Sequence, residues 1–537
     1  YQLRNLKPVQ IYFRLRKRIR PVSLPVCEES ARYLAPPGLW VPPVKMPHRR
    51  VSANRFLILG QEKALSLPAA WQDRALGKKW LMELHTFNFL EGRSGTDEID
   101  LIHNWIDNNT DCSGPGWHPY MTSQRISNWL KWGLSGGAPD SAVCGSIAQQ
   151  LRYLLQVLFY DELDHKLFNN GKALVFAGLC LDHVDAGSWL KRGMALTQRF
   201  SRELVGDDGG YIGLSPMYHC TLLNDMLDVA NLLQTFRQPV PDDLVRAITS
   251  ATRWLTCMCH PDGQIALFND AAFTVAPEPK QLHDYARRLG FPVAPAPENS
   301  LQHLDASGFV RIASGGAVAL LDIGRIGPDH FPSHGHADTF TFELSLNGQR
   351  LFVDTGLSTY EHLPARLWER GTAAHNTVQV DGRNSSDVWQ LFKVGRRARI
   401  SGLTVQASGA ECRVSATHDG YCRVLRPLLH RREWRVSDGE LRITDCLTGK
   451  GEQHEAKVAF HLHPDIIARQ RQANLFSLET SSGAKLAELE LWSGLQVSVS
   501  DYDYHPEFGK SIRATRITGN TSGCLPMEFS SRLSWLS

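Results

Sequence analysis

No apolar run in this sequence approaches the roughly 18 residues that a membrane-spanning helix requires. The most apolar stretch, ALVFAGLCL (Ala173–Leu181), is far shorter and reads as a buried helix. Charge of one sign is not in excess: the net charge is +3 over 537 residues, too little to argue for a nucleic-acid partner. Closely paired cysteines are also missing. The eleven cysteines are scattered, and Cys257 and Cys259 have a spacing that suits neither a zinc knuckle nor a redox pair. Mostly free thiols are expected, which favours a reducing compartment. The basic, amphipathic stretch LRNLKPVQIYFRLRKRIRP (Leu3–Pro21) lacks the uncharged core and small-residue cleavage site of a secretory signal. A solvated basic arm is expected there rather than a membrane-surface helix. None of these features sets the oligomeric state.

What is present is the composition of a globular chain, 42% hydrophobic and 21% charged, long enough for one to three domains. Residues 1–70, proline-rich with little periodicity beyond the basic stretch, are expected to form an extended segment laid over a domain. Residues 71–295 carry helical periodicity, as in GSIAQQLRYLLQVLFYDEL and LLNDMLDVANLLQTF. Short loops join these helices, which predicts antiparallel helical hairpins. The proline-rich FPVAPAPENS (Phe291–Ser300) reads as a linker. From 301 to 537 the signal is short strands such as GAVALLDIG and LRITDCL, bounded by turn residues. The fold class expected is α+β multidomain, helical hairpins followed by an antiparallel β-sandwich, with the ligand in the cleft between them.

The stretch SHGHADTFTFELSLNGQRLFVDTG (Ser333–Gly356) concentrates the chemistry. An alternating strand, a turn at Asn347-Gly348 and a returning strand predict a hairpin. That hairpin brings His334, His336 and Asp338 close to Asp354. RGTAAHNTVQVDG (Arg370–Gly382) adds His375 and Asn376 before another strand. Two imidazoles and a carboxylate converging at strand ends suit a zinc site. By spacing alone the same residues read equally as solvated or hydrogen-bonded strand ends.

These two stretches resemble the C-terminal domain of the heparinase II/III-like polysaccharide lyases. The helical half is similar as well, in WLMELHTFNFL, GWHPYMTSQRISNWLKW, NNGKALVFAG, DGGYIGLSPMYH and HPDGQIALFNDAAF. The resemblance covers residues 75–400 well and the rest loosely. It implies an (α/α) toroid joined to the β-sandwich, cleaving a uronate-containing polysaccharide by β-elimination. It implies one zinc per chain, structural in role, on His336, Asp354 and His375. It also implies Tyr218 as the catalytic tyrosine and His334 as a catalytic-site histidine. The partner is then an acidic polysaccharide, and that substrate class favours the periplasm or the exterior, against the hint of the free thiols.

Aligned on NGKAL, His165 stands where relatives often carry an asparagine that neutralises the uronate carboxylate. At a reference pKa of about 6.5 its charge is expected to change within the working range. Asn169 and His219 are next in line for that role. Trp117, Tyr120 and Arg125 in GWHPYMTSQR suit a carbohydrate groove, through ring stacking and a bidentate guanidinium, although Trp117 equally suits helix packing. Arg370 suits steering of an anionic substrate or pairing with an acid. Two rival functions stay open: a glycan-binding relative serving polysaccharide assembly, and a glycoside hydrolase, which would need two carboxylates about the scissile bond.

Overall fold

The computed structural model describes residues 5–19, 22, 30–90, 96–298, 300–425, 427–450 and 453–536. Its helices in chain order are α1 (Pro8–Ile19), α2 (Lys78–Leu84), α3 (Thr96–Asn108), α4 (Pro119–Leu134), α5 (Ser141–Val157), α6 (His165–Cys180), α7 (Ala186–Leu204), α8 (Pro216–Thr235), α9 (Asp242–Cys257), α10 (Pro279–Arg288) and α11 (Pro364–Glu369).

The helices α4 to α9 form two layers. In α4, α6 and α8 almost every residue is buried, whereas α5, α7 and α9 bury one face each. The outer helices read as apolar stripes, whereas the inner ones also bury polar side chains that bond within the toroid, as Arg125 does with Gln150 and Asn169 with Asp225. The inner helices α4, α6 and α8 contact one another in turn, and each is backed by an outer one. This is the layered hairpin arrangement of an (α/α) toroid. Small residues set the closest approach: a Cβ on Gly193 of α7 would sit 2.7 Å from the backbone N of Val175 in α6.

The second half is antiparallel β. One sheet of five strands contains the expected hairpin: Phe342–Leu346 pairs with Gln349–Phe352, with Gln349 opposite Leu346. Asn347 (φ 48°) and Gly348 (φ 85°) supply the two positive-φ residues of the turn. An eight-stranded and a four-stranded sheet complete the sandwich. A core of inward-facing residues, among them Phe342, Trp434 and Phe460, lies between them. The helical core is continuous with Val353, Leu357 and Tyr360 of the second half, so the two halves meet on apolar surface as well as at the cleft.

Two expectations about the N-terminal segment change. It is not simply extended: α1 is a helix, and Arg49–Ser52, Arg55–Ile58 and Gln61–Ala64 form a three-stranded sheet. Nor is the basic stretch a solvated arm, because Gln10 is fully buried and anchors α1 to the body of the protein. Among the described residues no helix is long and apolar enough to cross a membrane.

Candidate active site

The first turns of α4, α6 and α8 open on one cavity of about 360 Å³ between the toroid and the sandwich. Tyr120 lies in the first turn of α4, His165 is the first residue of α6 and Tyr218 is the third of α8. Each of these helices starts where the sequence signals it. Pro119 and Pro216 occupy first helical positions, and the side chains of Asp164 and Ser215 cap α6 and α8 by accepting from the backbone N–H of Lys166 and Tyr218. Five lysines line the same cavity: Lys78, Lys79, Lys131, Lys166 and Lys172.

From the sandwich side, His334, Tyr360 and Phe392 close the cavity. The ring of Tyr218 lies between two imidazoles, its centroid 4.7 Å from that of His165 and 4.2 Å from that of His334. Its hydroxyl is 3.0 Å from the hydroxyl of Tyr360. Burial pushes the Tyr218 hydroxyl above its ordinary pKa, and the Lys79 ammonium opposes that shift without cancelling it. The Tyr211 hydroxyl lies 3.2 Å from His165 Nδ1. Burial, then the charges of Lys166 and His334, hold His165 well below its ordinary value. His165 is therefore a neutral imidazole at neutral pH, which corrects the expectation that it titrates in the working range. In the tautomer in which Nδ1 accepts from Tyr211, the Nε2 N–H is left to donate.

Asp270 joins His334 and His336. Its Oδ2 is 2.9 Å from His334 Nδ1, and its Oδ1 is 3.0 Å from His336 Nε2 and 2.6 Å from Arg366. Burial alone would raise the Asp270 carboxyl, but Arg366 and the two histidine hydrogen bonds outweigh it and hold it well below the usual carboxylate range. Its neighbour Asn269 accepts from the His336 backbone N–H and donates to the Leu214 carbonyl, which ties the loop before α8 to the histidine loop. Asp270 and Asn269 sit in the FND of a quoted motif, but their roles are not legible from spacing.

Behind His334 lies a set of buried donors. His336 Nδ1, Asp338 Oδ2 and His375 Nε2 have no hydrogen-bond partner among the described residues. Ligand atoms of these three residues lie within 4.8 Å of one another. Unpaired polar atoms buried together are costly unless something binds them, and two imidazoles with a carboxylate suit a divalent metal. Asp354, the expected third ligand, instead places its Oδ2 2.7 Å from His375 Nδ1.

Of the other residues singled out, Tyr120 lines the cavity, but Trp117, Arg125, Asn169, His219 and Arg370 are not among its lining residues. Trp117 donates its indole N–H to the Asn109 carbonyl. Arg125 stacks 3.7 Å from the Trp105 ring centroid and donates to the carbonyls of His85 and Gly116. Asn169 donates to Asp225. His219 stacks on Trp254, with Nε2 2.9 Å from the Ala251 carbonyl. Arg370 donates to the carbonyls of Gly335 and Gln390, bracing the histidine loop from behind. The lysines, Asn128 and Tyr360 were not singled out, since they come from elements far apart in the chain.

Two family models account for most of the chain: "Heparinase II/III N-terminus" matches residues 141–289 and "Heparinase II/III-like, C-terminal" matches residues 296–536. The chain belongs to the heparinase II/III family. Among curated relatives, a heparin-sulfate lyase of Bacteroides stercoris is 27% identical over 251 residues, covering 43% of this chain and 37% of the relative. One of Bacteroides thetaiotaomicron is 22% identical over 336 residues, covering 53% and 48%. The matched stretch thus spans less than half the length of either relative. Among solved structures, heparinase III superposes with a TM-score of 0.65 at 17% identity, over 82% of this chain and 73% of that one. A heparan sulfate lyase from Pedobacter heparinus gives 0.60 at 16%, over 98% and 87%. At such identities these likenesses establish the toroid-and-sandwich fold of this heparinase II/III-family chain.

Proposed function

We propose that this protein is a polysaccharide lyase that cleaves a uronate-containing polysaccharide by β-elimination. The observation that carries the reading is the Tyr218 ring held between His165 and His334 in a cavity lined by five lysines. Elimination takes the proton from C5 of the uronate, breaks the C4–O4 bond, forms a C4=C5 double bond and protonates the leaving O4. The C5 proton is weakly acidic because the adjacent carboxylate already carries charge, so that carboxylate needs hydrogen-bond donors and cations. The His165 N–H supplies a donor, and Lys78, which has no acidic partner among the described residues, supplies a cation; Lys79, Lys131, Lys166 and Lys172 are already paired with Glu83, Asp228, Glu162 and Asp225. Tyr218 as phenolate takes the C5 proton and, as phenol, returns it to O4, so that it starts each cycle ionised. Lys79 favours the phenolate, and His334, held by Asp270, lies against the same ring.

Hydrolysis is disfavoured by the state of the carboxylates. Glu83, Glu162 and Asp225 line the cavity, and each is paired with a lysine: Lys79, Lys166 and Lys172. A glycoside hydrolase needs one carboxyl able to donate a proton and another free to act as base or nucleophile.

A divalent ion, zinc by the chemistry of its donors, fits His336, Asp338 and His375, with Asp354 orienting His375 through Nδ1. When bound, it would pin the histidine loop to the segment before residues 378–380, a structural part. His336→Ala and His375→Ala are each expected to lose the metal measured by elemental analysis and to lower Tm, since metal binding is coupled to the stability of the site it closes. Full metal content in both variants would remove the assignment.

His165 gives a test of the neutraliser. His165→Ala is expected to lower kcat/KM about 10²-fold or more, the scale of losing one donor to a developing anion. His165→Asn keeps a donor and is expected to recover part of that loss. Because His165 is neutral at neutral pH, the shape of the pH–rate profile between about pH 6 and 8 should be the same for wild type and His165→Asn. A limb that disappears in the asparagine variant would show that His165 acts as a cation.

A further inference from the structure

A second cavity of about 370 Å³ adjoins the catalytic one, and the two share Glu162, Ser333 and Phe392 in their walls. One wall is the N-terminal helix α1, contributing Arg14, and the opposite wall is the sandwich segment that contributes Lys393 and Arg397. We propose that this groove is an outer subsite that holds further sugars of the acidic polysaccharide, with their carboxylate or sulfate groups on Arg14 and Lys393. The inference rests on the lyase reading for the polymer's identity, but its own content is the place where the chain of sugars leaves the catalytic cavity.

Three observations support it. The first is adjacency: the two cavities share Glu162, Ser333 and Phe392 in their walls, and in this proposal a ligand longer than the catalytic cavity passes into the groove at these three residues, the neck. The second is charge. The groove's acids are already matched, Glu162 by Lys166 and Asp329 by Arg397. Among the described residues Arg14 donates to the Asp161 carbonyl, and neither Arg14 nor Lys393 has an acidic partner. Two exposed cations facing one groove leave it electropositive, and a guanidinium is suited to a sulfate or carboxylate.

The third is the way α1 is fixed. The fully buried Gln10 donates from Nε2 to the carbonyls of Asp161 and Glu162 on the toroid and of His330 on the sandwich, at 3.2–3.3 Å. The Phe13 ring stacks on Tyr160 at 4.6 Å, and Lys17 pairs with Asp161 at 2.7 Å. A helix held to both sides of the cleft gives Arg14 a fixed place beside the neck. A free basic arm would not.

The test is a length series. Size-defined heparan sulfate tetrasaccharide and octasaccharide are titrated calorimetrically into the Tyr218→Phe protein, in which cleavage is expected to be slowed by about 10²–10⁴-fold. The octasaccharide is expected to bind more tightly than the tetrasaccharide. In an added Arg14→Ala, Lys393→Ala pair of substitutions, both at exposed positions, the ratio of the two affinities should fall several-fold, by up to about tenfold, or 1.4 kcal/mol. Arg14→Lys with Lys393 intact should keep most of the ratio. Equal affinities for the two lengths in the parent, or an unchanged ratio in the double variant, would overturn the proposal. Because binding rather than turnover is read, failure here is distinct from failure of the elimination reading, which the wild-type product decides.

Discussion

Tyr218→Phe is expected to lower kcat for elimination by about 10²–10⁴-fold, the contribution of a positioned proton-transfer group. The change removes one hydroxyl, which contacts Tyr360 across the cavity. The ring that packs between His165 and His334 remains, so Tm and oligosaccharide affinity should stay near wild type. Burial raises the pKa of Tyr218, with Lys79 only partly opposing it. In the proposed mechanism the phenolate takes the proton, so the wild-type rate should climb with pH on the alkaline side of neutral. Activity of Tyr218→Phe within a few-fold of wild type on a polymer that wild type cleaves would remove Tyr218 from the mechanism.

The second large effect is at Asp270. Asp270→Ala leaves the buried Arg366 guanidinium without its carboxylate and unhooks His334 and His336 together. Breaking a buried pair from one side costs about 3–5 kcal/mol, because the remaining charge is uncompensated. Chemical denaturation should show a loss of that size, and turnover should fall as well, since His334 loses the partner that fixes its ring. Asp270→Asn preserves the shape but not the charge, and it should be destabilised for the same reason. A loss below about 1 kcal/mol in the alanine variant would mean that Arg366 finds other compensation, and the hub would be dispensable.

The parts of the site that were legible in the sequence are those with local signals. The hairpin was readable because Asn347-Gly348 is a turn that demands positive φ at both positions. His334 and His336 follow from its position, while His165 and Tyr218 were reached only through the family resemblance, on NGKAL and SPMYH. The helical hairpins were readable from the apolar stripes of helices such as α7 and α9, but the two layers were not, because the buried α6 carries His165, Asn169, Asn170 and Lys172.

What the sequence did not place has two physical causes. Trp117, Arg125 and Arg370 have side chains suited to sugars, but the same donors satisfy buried backbone carbonyls, as Arg125 does for His85 and Gly116. Residue type does not distinguish a guanidinium facing a ligand from one bracing a loop. The lysine lining was missed for the opposite reason. Lys79, Lys131 and Lys172 belong to α2, α4 and α6, and only the closing of the toroid brings them to one cavity. The likeness of Asp338 and Asp354 on paper hid a division of labour. Asp338 holds its Oδ2 unpaired beside His336 and His375, while Asp354 is committed to His375 Nδ1.

The central claim is that this cavity performs elimination on a uronate polymer. The most direct measurement is incubation of the purified, metal-replete protein with a panel of uronate-containing polysaccharides, following ultraviolet absorbance and new reducing ends together. The account predicts that, on at least one polymer, the two signals rise in equal proportion, because each cut yields one 4,5-unsaturated uronate and one reducing end. New reducing ends without that absorbance would contradict it.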